Sequence, residues 1–355
     1  MTDFSRYSPG RLVRLLALGA FALVACGLLS ALFGGVPLKL GSGGALDVLA
    51  GNGTEGSILW SLRIPRIALG ALVGAALCAS GAALQSLLQN PLADPFVLGV
   101  SGGAAVGGTL ALLAGEWFAV DRTAAHHSIS GAGMSVATVA GFVGALLAVA
   151  LVRVLAARGG RVSAAAALLA GAVLNAVAGA LVLLAELAVS PESAQKILLW
   201  LSGSLGYPAV SSLWLGGGAI GLGCGLLCLL AGRLRLIALG PDEAAQLGVD
   251  VPKTVRLALA AASLAVAAAV ALSGLIGFVG LLVPHLLRLW LGPDQRLLLP
   301  ASVLFGAAFL VAADGLARLC FLPVGGEPPI GAVTALFGGP VFLWLLRREL
   351  KGTFS

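Results

Sequence analysis

Apolar residues dominate the chain in long runs broken by proline, glycine and charge. Read that way, the 355 residues predict ten segments: 12–33, 67–88, 97–114, 134–155, 164–187, 213–231, 255–276, 278–291, 297–317 and 330–346. Most are close to the roughly 20 residues a helix needs to cross a bilayer. They lack the strict alternation of a lipid-facing strand and are rich in Leu, Ala, Val and Gly, so the expectation is a helical bundle and not a barrel. The eighth segment is short and contains Pro284. The first follows Arg6, Arg11 and Arg14 as a signal peptide would, but its length and the lack of a small-x-small cleavage site favour an uncleaved span.

Two polar interruptions stand out. Residues 240–250, GPDEAAQLGVD, form the one compact acid-bearing island in the second half. Pro241 suits the first turn of a helix, Asp242 and Glu243 complement its positive end, and Gly248 can close it, which predicts an exposed helix of about two turns. Ala244, Ala245 and Leu247 give that helix a small apolar face beside Gln246. The other interruption, residues 85–101, carries Asn90-Pro91 and Asp94-Pro95, a rigid two-proline turn with little room for helix. It reads either as a tight interhelical loop or as a constriction closed by Asn90 and Leu92.

Composition sharpens the class. With 59% hydrophobic residues, 10% charged residues and a mean hydropathy of +1.05, the chain is an integral membrane protein and not a soluble domain. The 51 glycines suit closely approaching helices. The five cysteines lie in or beside apolar segments without ligand companions, which points to packing, with no disulfide framework and no metal. The net charge of +6 comes from basic residues scattered at segment ends without interleaved aromatics, so nucleic acid is not the expected partner. With the N-terminus inside, fifteen of the 21 Lys and Arg fall on the cytoplasmic side; Lys39, Arg63, Arg66, Arg122, Lys196 and Arg318 fall outside. Both termini and residues 240–250 are then cytoplasmic, and residues 1–355 make a single polytopic domain. A five-segment offset would reverse orientation, the arrangement of an inverted repeat, although no strong repeat is visible. The chain has no GxxxxGK[ST] phosphate loop.

Within the bilayer, Asn175 near the middle of the fifth segment is a candidate pathway residue or a helix glue, with Glu186 near its outer end. Ser163, Ala164 and Ala165 are candidates for a second inner constriction. His285 lacks a catalytic partner nearby and reads as structural, and His126 and His127 read as a solvated loop pair, although paired imidazoles could touch haem iron. No catalytic set emerges. An ion-gradient-driven secondary transporter is the alternative class, but it would be expected to carry mid-membrane acids, which are nearly absent here.

Five motifs in order carry a family resemblance: RIPR at Arg63–Arg66, GAALQSLLQNPLADPFVLGVSGG from Gly81, GPDEAAQLGV from Gly240, GFVGLLVPHLLR from Gly277, and ADGLAR from Ala313 with EPPIGAVTALFGGPVF after it. The chain resembles the permease subunits of type II ABC importers for cobalamin, iron-siderophores and haem. The resemblance implies ten helices per subunit, a homodimer with the pathway between the copies, two separate ATPase subunits that bind ATP and Mg, and a periplasmic binding protein, all at a bacterial inner membrane. The chain itself is expected to bind no cofactor. Residues 240–250, with Pro241–Gly248 at their centre, become the coupling helix that sits in a groove of the ATPase. Arg63, Arg66 and Arg318 become docking residues for glutamates of the binding protein; an intrahelical pair between Asp314 and Arg318 is the competing reading. The longer loop at 321–326 and Pro328 depart from the family pattern. Haem is the first expectation for the cargo, with iron-siderophore and cobalamin next.

Overall fold

The computed structural model describes residues 7–32, 51, 53–117, 136–158, 161–162, 164–321 and 327–353. His126, His127 and Ser163 lie outside the described residues, as do the side chains of Ala164 and Ala165. In chain order the helices are α1 (Pro9–Leu32), α2 (Gly53–Ile58) continued by a π-helical turn at Leu59–Arg63, α3 (Ile64–Leu87), α4 (Val100–Trp117), α5 (Val136–Ala156), α6 (Ala164–Glu186), α7 (Pro191–Leu201) and α8 (Val210–Leu229). Then follow α9 (Ala231–Ile237), α10 (Pro241–Gln246), α11 (Val251–Ser273), α12 (Val279–Leu291), α13 (Gln295–Phe321) and α14 (Ile330–Thr353). The all-helical class holds, with one addition: Ala157–Arg158 and Arg161–Val162 pair as a minimal antiparallel hairpin between α5 and α6.

Among the described residues, seven helices are long and apolar enough to cross a membrane: α1, the α2–α3 unit, α5, α6, α8, α11 and α13. Val100–Gly115, Val279–Leu291 and Ile330–Leu345 are shorter apolar helices at the third, eighth and tenth expected segments. The sixth expected segment divides in two. Leu230 stays helical in φ and ψ, but α8 ends there, and α9 carries Arg233 and Arg235 away from the apolar run.

The centre of the bundle is α3, which packs against α8, α11, α12 and α13 and is buried along most of its length. Its hydrophobic residues point all round, as they must when no side faces solvent. Glycine sets the closest approaches. A Cβ at Gly74 would stand 2.2 Å from the carbonyl oxygen of Gly306, so α3 and α13 cross at backbone contact. Gly103 and Gly144 do the same for α4 and α5. By contrast α1, α5, α6 and α8 leave large apolar side chains exposed, among them Phe21, Leu147, Leu184 and Trp214. In water such surfaces would be untenable; in a membrane protein they are the faces offered to lipid or to another subunit.

Candidate coupling, gating and docking sites

At one end of the bundle, α10 is a six-residue helix with finished ends. Gly240 takes φ +149, a conformation that favours glycine, and the exposed Glu243 carboxylate folds back over it. Pro241 fills the first turn. At the far end the N–H of Gly248 donates to Ala245 and that of Val249 to Ala244, each at 3.0 Å, with Gly248 at φ +83. That pair of bonds is a Schellman closure. Asp250 then caps the next helix, accepting from the N–H of Lys253 at 3.0 Å. Fixed ends compensate for a length at which an isolated helix would be marginal. Only Ala244 is inward, fully buried, whereas Asp242, Glu243, Ala245, Gln246 and Leu247 are exposed, Leu247 by 61%. The predicted helix is there, slightly shorter than two turns, and most of its surface faces outward.

The loop after α3 lies at the same end. It contains more order than two prolines suggest: Pro95–Leu98 forms a 3-10 turn because Asp94 caps it, its Oδ1 accepting from the N–H of Phe96 at 2.8 Å, with Pro95 at the first position. Asn90 is consumed by a similar turn, its Oδ1 accepting from the N–H of Leu92 at 2.9 Å. Leu92 itself is exposed. Asn90 and the exposed Leu92 therefore form a rigid corner at this end of the bundle.

Burial pushes the Asp94 carboxyl up to about 6, against the lowering effect of the Phe96 N–H. Between the unfolded carboxylate value near ~3.9 and 6 the folded chain binds more protons than the unfolded one, so this group makes stability fall as pH rises through that window. Asp94→Asn keeps a capping oxygen and removes the charge. The variant is expected to melt at a higher temperature than the parent at pH 7 and to lose the parent's decline between pH 4 and 6, as checked by melting curves in detergent across that range.

Asn175 on α6 ties three elements together. Its Oδ1 accepts from the N–H of Gly102 at 3.0 Å and from Ser101 Oγ at 3.3 Å, and its Nδ2 donates to the carbonyl of Phe96 at 2.9 Å. It thus supplies partners to the first turn of α4, where backbone N–H groups have none within the helix, and to the 3-10 turn. Of the two sequence readings, helix glue is the one its hydrogen bonds describe. It also borders an open cavity of about 530 Å³ shared with Ser101, Val182 and Glu186. Asn175→Leu should lower stability by about 1–3 kcal/mol by orphaning these groups, measured as a fall in melting temperature.

The predicted docking arginines lie at the opposite end, a helix of 24 residues or about 36 Å away. All three are buried: Arg63 and Arg66 are each 5% exposed and Arg318 is 7% exposed. Arg66 forms a two-pronged bond to Asp314, Nε to Oδ2 at 3.1 Å and Nη2 to Oδ1 at 2.9 Å, and also pairs with Glu327. Arg318 Nε lies 3.1 Å from Asp314 Oδ2, one turn back on α13, and its Nη2 donates to Ser30 Oγ at 2.6 Å. Arg63 donates to the carbonyls of Ala31 and Leu32, at the negative end of α1. Tyr207 covers Arg66 with its ring at 5.5 Å and donates its hydroxyl to Glu327 at 3.3 Å. The competing reading of Arg318 as an intrahelical partner of Asp314 is the arrangement seen. Three positions apart, Arg63 and Arg66 would share one face of a regular α-helix, but with a π-helical turn before α3 they reach different partners, one on α1 and one on α13. In this conformation Glu327, 44% exposed, and Tyr207, 55% exposed, carry the cluster to the surface.

Comparisons with known proteins agree with one another. Residues 22–348 match the FecCD transport family. The chain is 42% identical over 296 residues to the cobalamin import system permease protein BtuC of Halobacterium salinarum, covering 83% of this chain and 74% of that one. It is 39% identical over 292 residues to the hemin transport system permease protein HmuU of Yersinia pestis, covering 82% and 84%. The vitamin B12 import system permease protein BtuC of Salmonella paratyphi A is 36% identical across 99% of this chain and all of that one. Among solved structures, an inward-facing metal-chelate type ABC transporter superposes with a TM-score of 0.79 at 30% identity, covering 96% of this chain. A match spanning most of the chain, the relatives' shared transport role and the common fold lead to one conclusion: the chain belongs to the FecCD transport family and is the permease of a type II ABC importer.

Proposed function

We propose that this chain is the membrane half of an ATP-driven importer for a metal-chelate cargo, with haem the first expectation and an iron-siderophore or cobalamin the next. The observation that carries the mechanism is α10, a rigid, capped, outward-facing helix joined to the bundle through α9 and α11. In this reading two copies of the chain, each with ten spans arranged as an inverted repeat, enclose the pathway. Two ATPase subunits, which hold ATP and Mg, seat α10 in a groove on the cytoplasmic side. Both termini share that side, and a periplasmic binding protein delivers the cargo at the other, at the inner membrane. Nucleotide binding moves α10, and the corner at Asn90 and Leu92, with the start of α6 at Ser163–Ala165 opposite, opens or closes the inner mouth. Asn175 and Glu186 border the route.

The test is reconstitution in proteoliposomes with and without the ATPase subunits, using haemin and cyanocobalamin as probes. Uptake of one probe is expected only with the ATPase and ATP. Uptake driven by a proton or sodium gradient in the absence of the ATPase would overturn the reading.

A further inference from the structure

The helices on either side of the inner corner end in the same motif with one difference. At the end of α3 the N–H of Gln89 donates to Ser86 at 3.3 Å and that of Asn90 to Gln85 at 3.1 Å, which repeats the closure of α10 bond for bond. The left-handed residue of that closure is Gly248 after α10 but Gln89, at φ +47, after α3. A side chain there is unfavourable, and glycine is the usual occupant. The backbone closure alone gives no reason for glutamine. Its side chain does: Nε2 donates to the carbonyl oxygen of Ile237 at 3.3 Å. Ile237 is the last residue of α9, four positions before α10 begins.

The packing gives that bond its importance. The small helix α10 rests on α9 and α11, and α9 in turn packs against α3. Between α10 and the end of α3 lies a cavity of about 370 Å³, with Leu88 and Gln89 on one side and Pro241, Asp242 and Ala245 on the other. A displacement of α10 therefore reaches the corner by way of α9 and α11, which both pack against α3, and not by direct pressure. We propose that Gln89 is the positioning residue of this relay, tying the corner at Asn90 and Leu92 to α9 so that the two move as one. Both Gln89 and Asn90 are held to α3 by backbone bonds, so a shift of Ile237 acts on a stiff turn. The proposal rests on the coupling role given to α10 above.

Two variants separate the side chain from the backbone. Gln89→Gly keeps the favoured left-handed residue and deletes the amide; Gln89→Asn keeps an amide and tolerates the conformation, but is one methylene short of Ile237. The full chain, assembled with its ATPase subunits in proteoliposomes, carries Leu92→Cys as reporter, with Cys26, Cys228 and Cys320 changed to alanine. Maleimide labelling is timed without nucleotide and after vanadate trapping of ATP. Both variants are expected to melt no lower than the parent and to hydrolyse ATP, while the nucleotide-dependent change in labelling rate shrinks about fivefold, the weight of one neutral hydrogen bond. An unchanged response in both variants overturns the proposal. So does a clearly lower melting temperature in Gln89→Gly, which would assign the bond to fold stability alone. If the reporter in the parent itself shows no nucleotide response, the coupling role of α10 fails and the proposal with it, so the two failures are read from different proteins.

Discussion

Replacing Asp314 with alanine is expected to cost about 3–5 kcal/mol and to give a protein that melts far below the parent or fails to accumulate. Asp314 is the shared anion of two buried guanidinium groups, holding Arg66 through two bonds and Arg318 through a third contact. Among the described residues, its removal leaves these two buried cations with Ser30, Glu327 and the Tyr207 ring as side-chain partners. The penalty is the desolvation of charge without compensation, much larger than the net value of an exposed pair. Glu327→Gln is the control: it alters the same cluster at its half-exposed edge and should cost less than about 1 kcal/mol. Unfolding of both variants in detergent checks the contrast; equal, small losses would show that the cluster is well hydrated. For the same reason, charge reversal at Arg66 would report on folding before it could report on docking.

The second large effect concerns transport with the fold preserved. Leu247→Asp places a charge on the exposed cap of α10, where the side chain meets little of its own chain. Melting should stay within the range of a surface substitution, about ±0.5 kcal/mol. If Leu247 seats in a groove of the ATPase, burying a carboxylate there should weaken association by roughly 30-fold or more, the scale of an interface hot spot. ATPase co-purification and ATP-driven uptake would fall together. A variant that remains fully coupled would exclude Leu247 from the contact.

Local chemistry was legible in the sequence wherever a single residue type dictates a conformation. Pro241 and Gly248 marked the ends of α10, and long apolar runs located the membrane-crossing helices to within a few residues. The two-proline loop was placed correctly, but the 3-10 turn within it depends on the Asp94 cap, a signal present in the sequence and outweighed by the prolines. What pattern could not show is pairing across the chain. The burial of Arg63 and Arg66 follows from partners on α1 and α13, and no spacing rule connects position 66 with 314. The helix α7 escaped notice because its 11 residues are too few to register as a span, although Ser190 before Pro191 is an ordinary helix start. Gln89 was invisible for the opposite reason: nothing about glutamine announces a left-handed backbone.

The partners of α3 also set a schedule. Arg66 meets Asp314 across 248 residues, Ser86 meets Gln295 across 209, and Gln85 meets Arg288 across 203. At a synthesis rate of about 5–20 residues per second, the central helix waits on the order of 12–50 s before the ribosome delivers the counter-ion for its arginine. Throughout that interval the helix that will end up most enclosed is an unfinished one, with a cation and two amide-bearing or hydroxyl side chains still to be matched. The last third of the chain thus completes the first: a product stalled before Asp314 carries Arg66 without its carboxylate partner on α13, at the energetic cost of an unmatched buried charge.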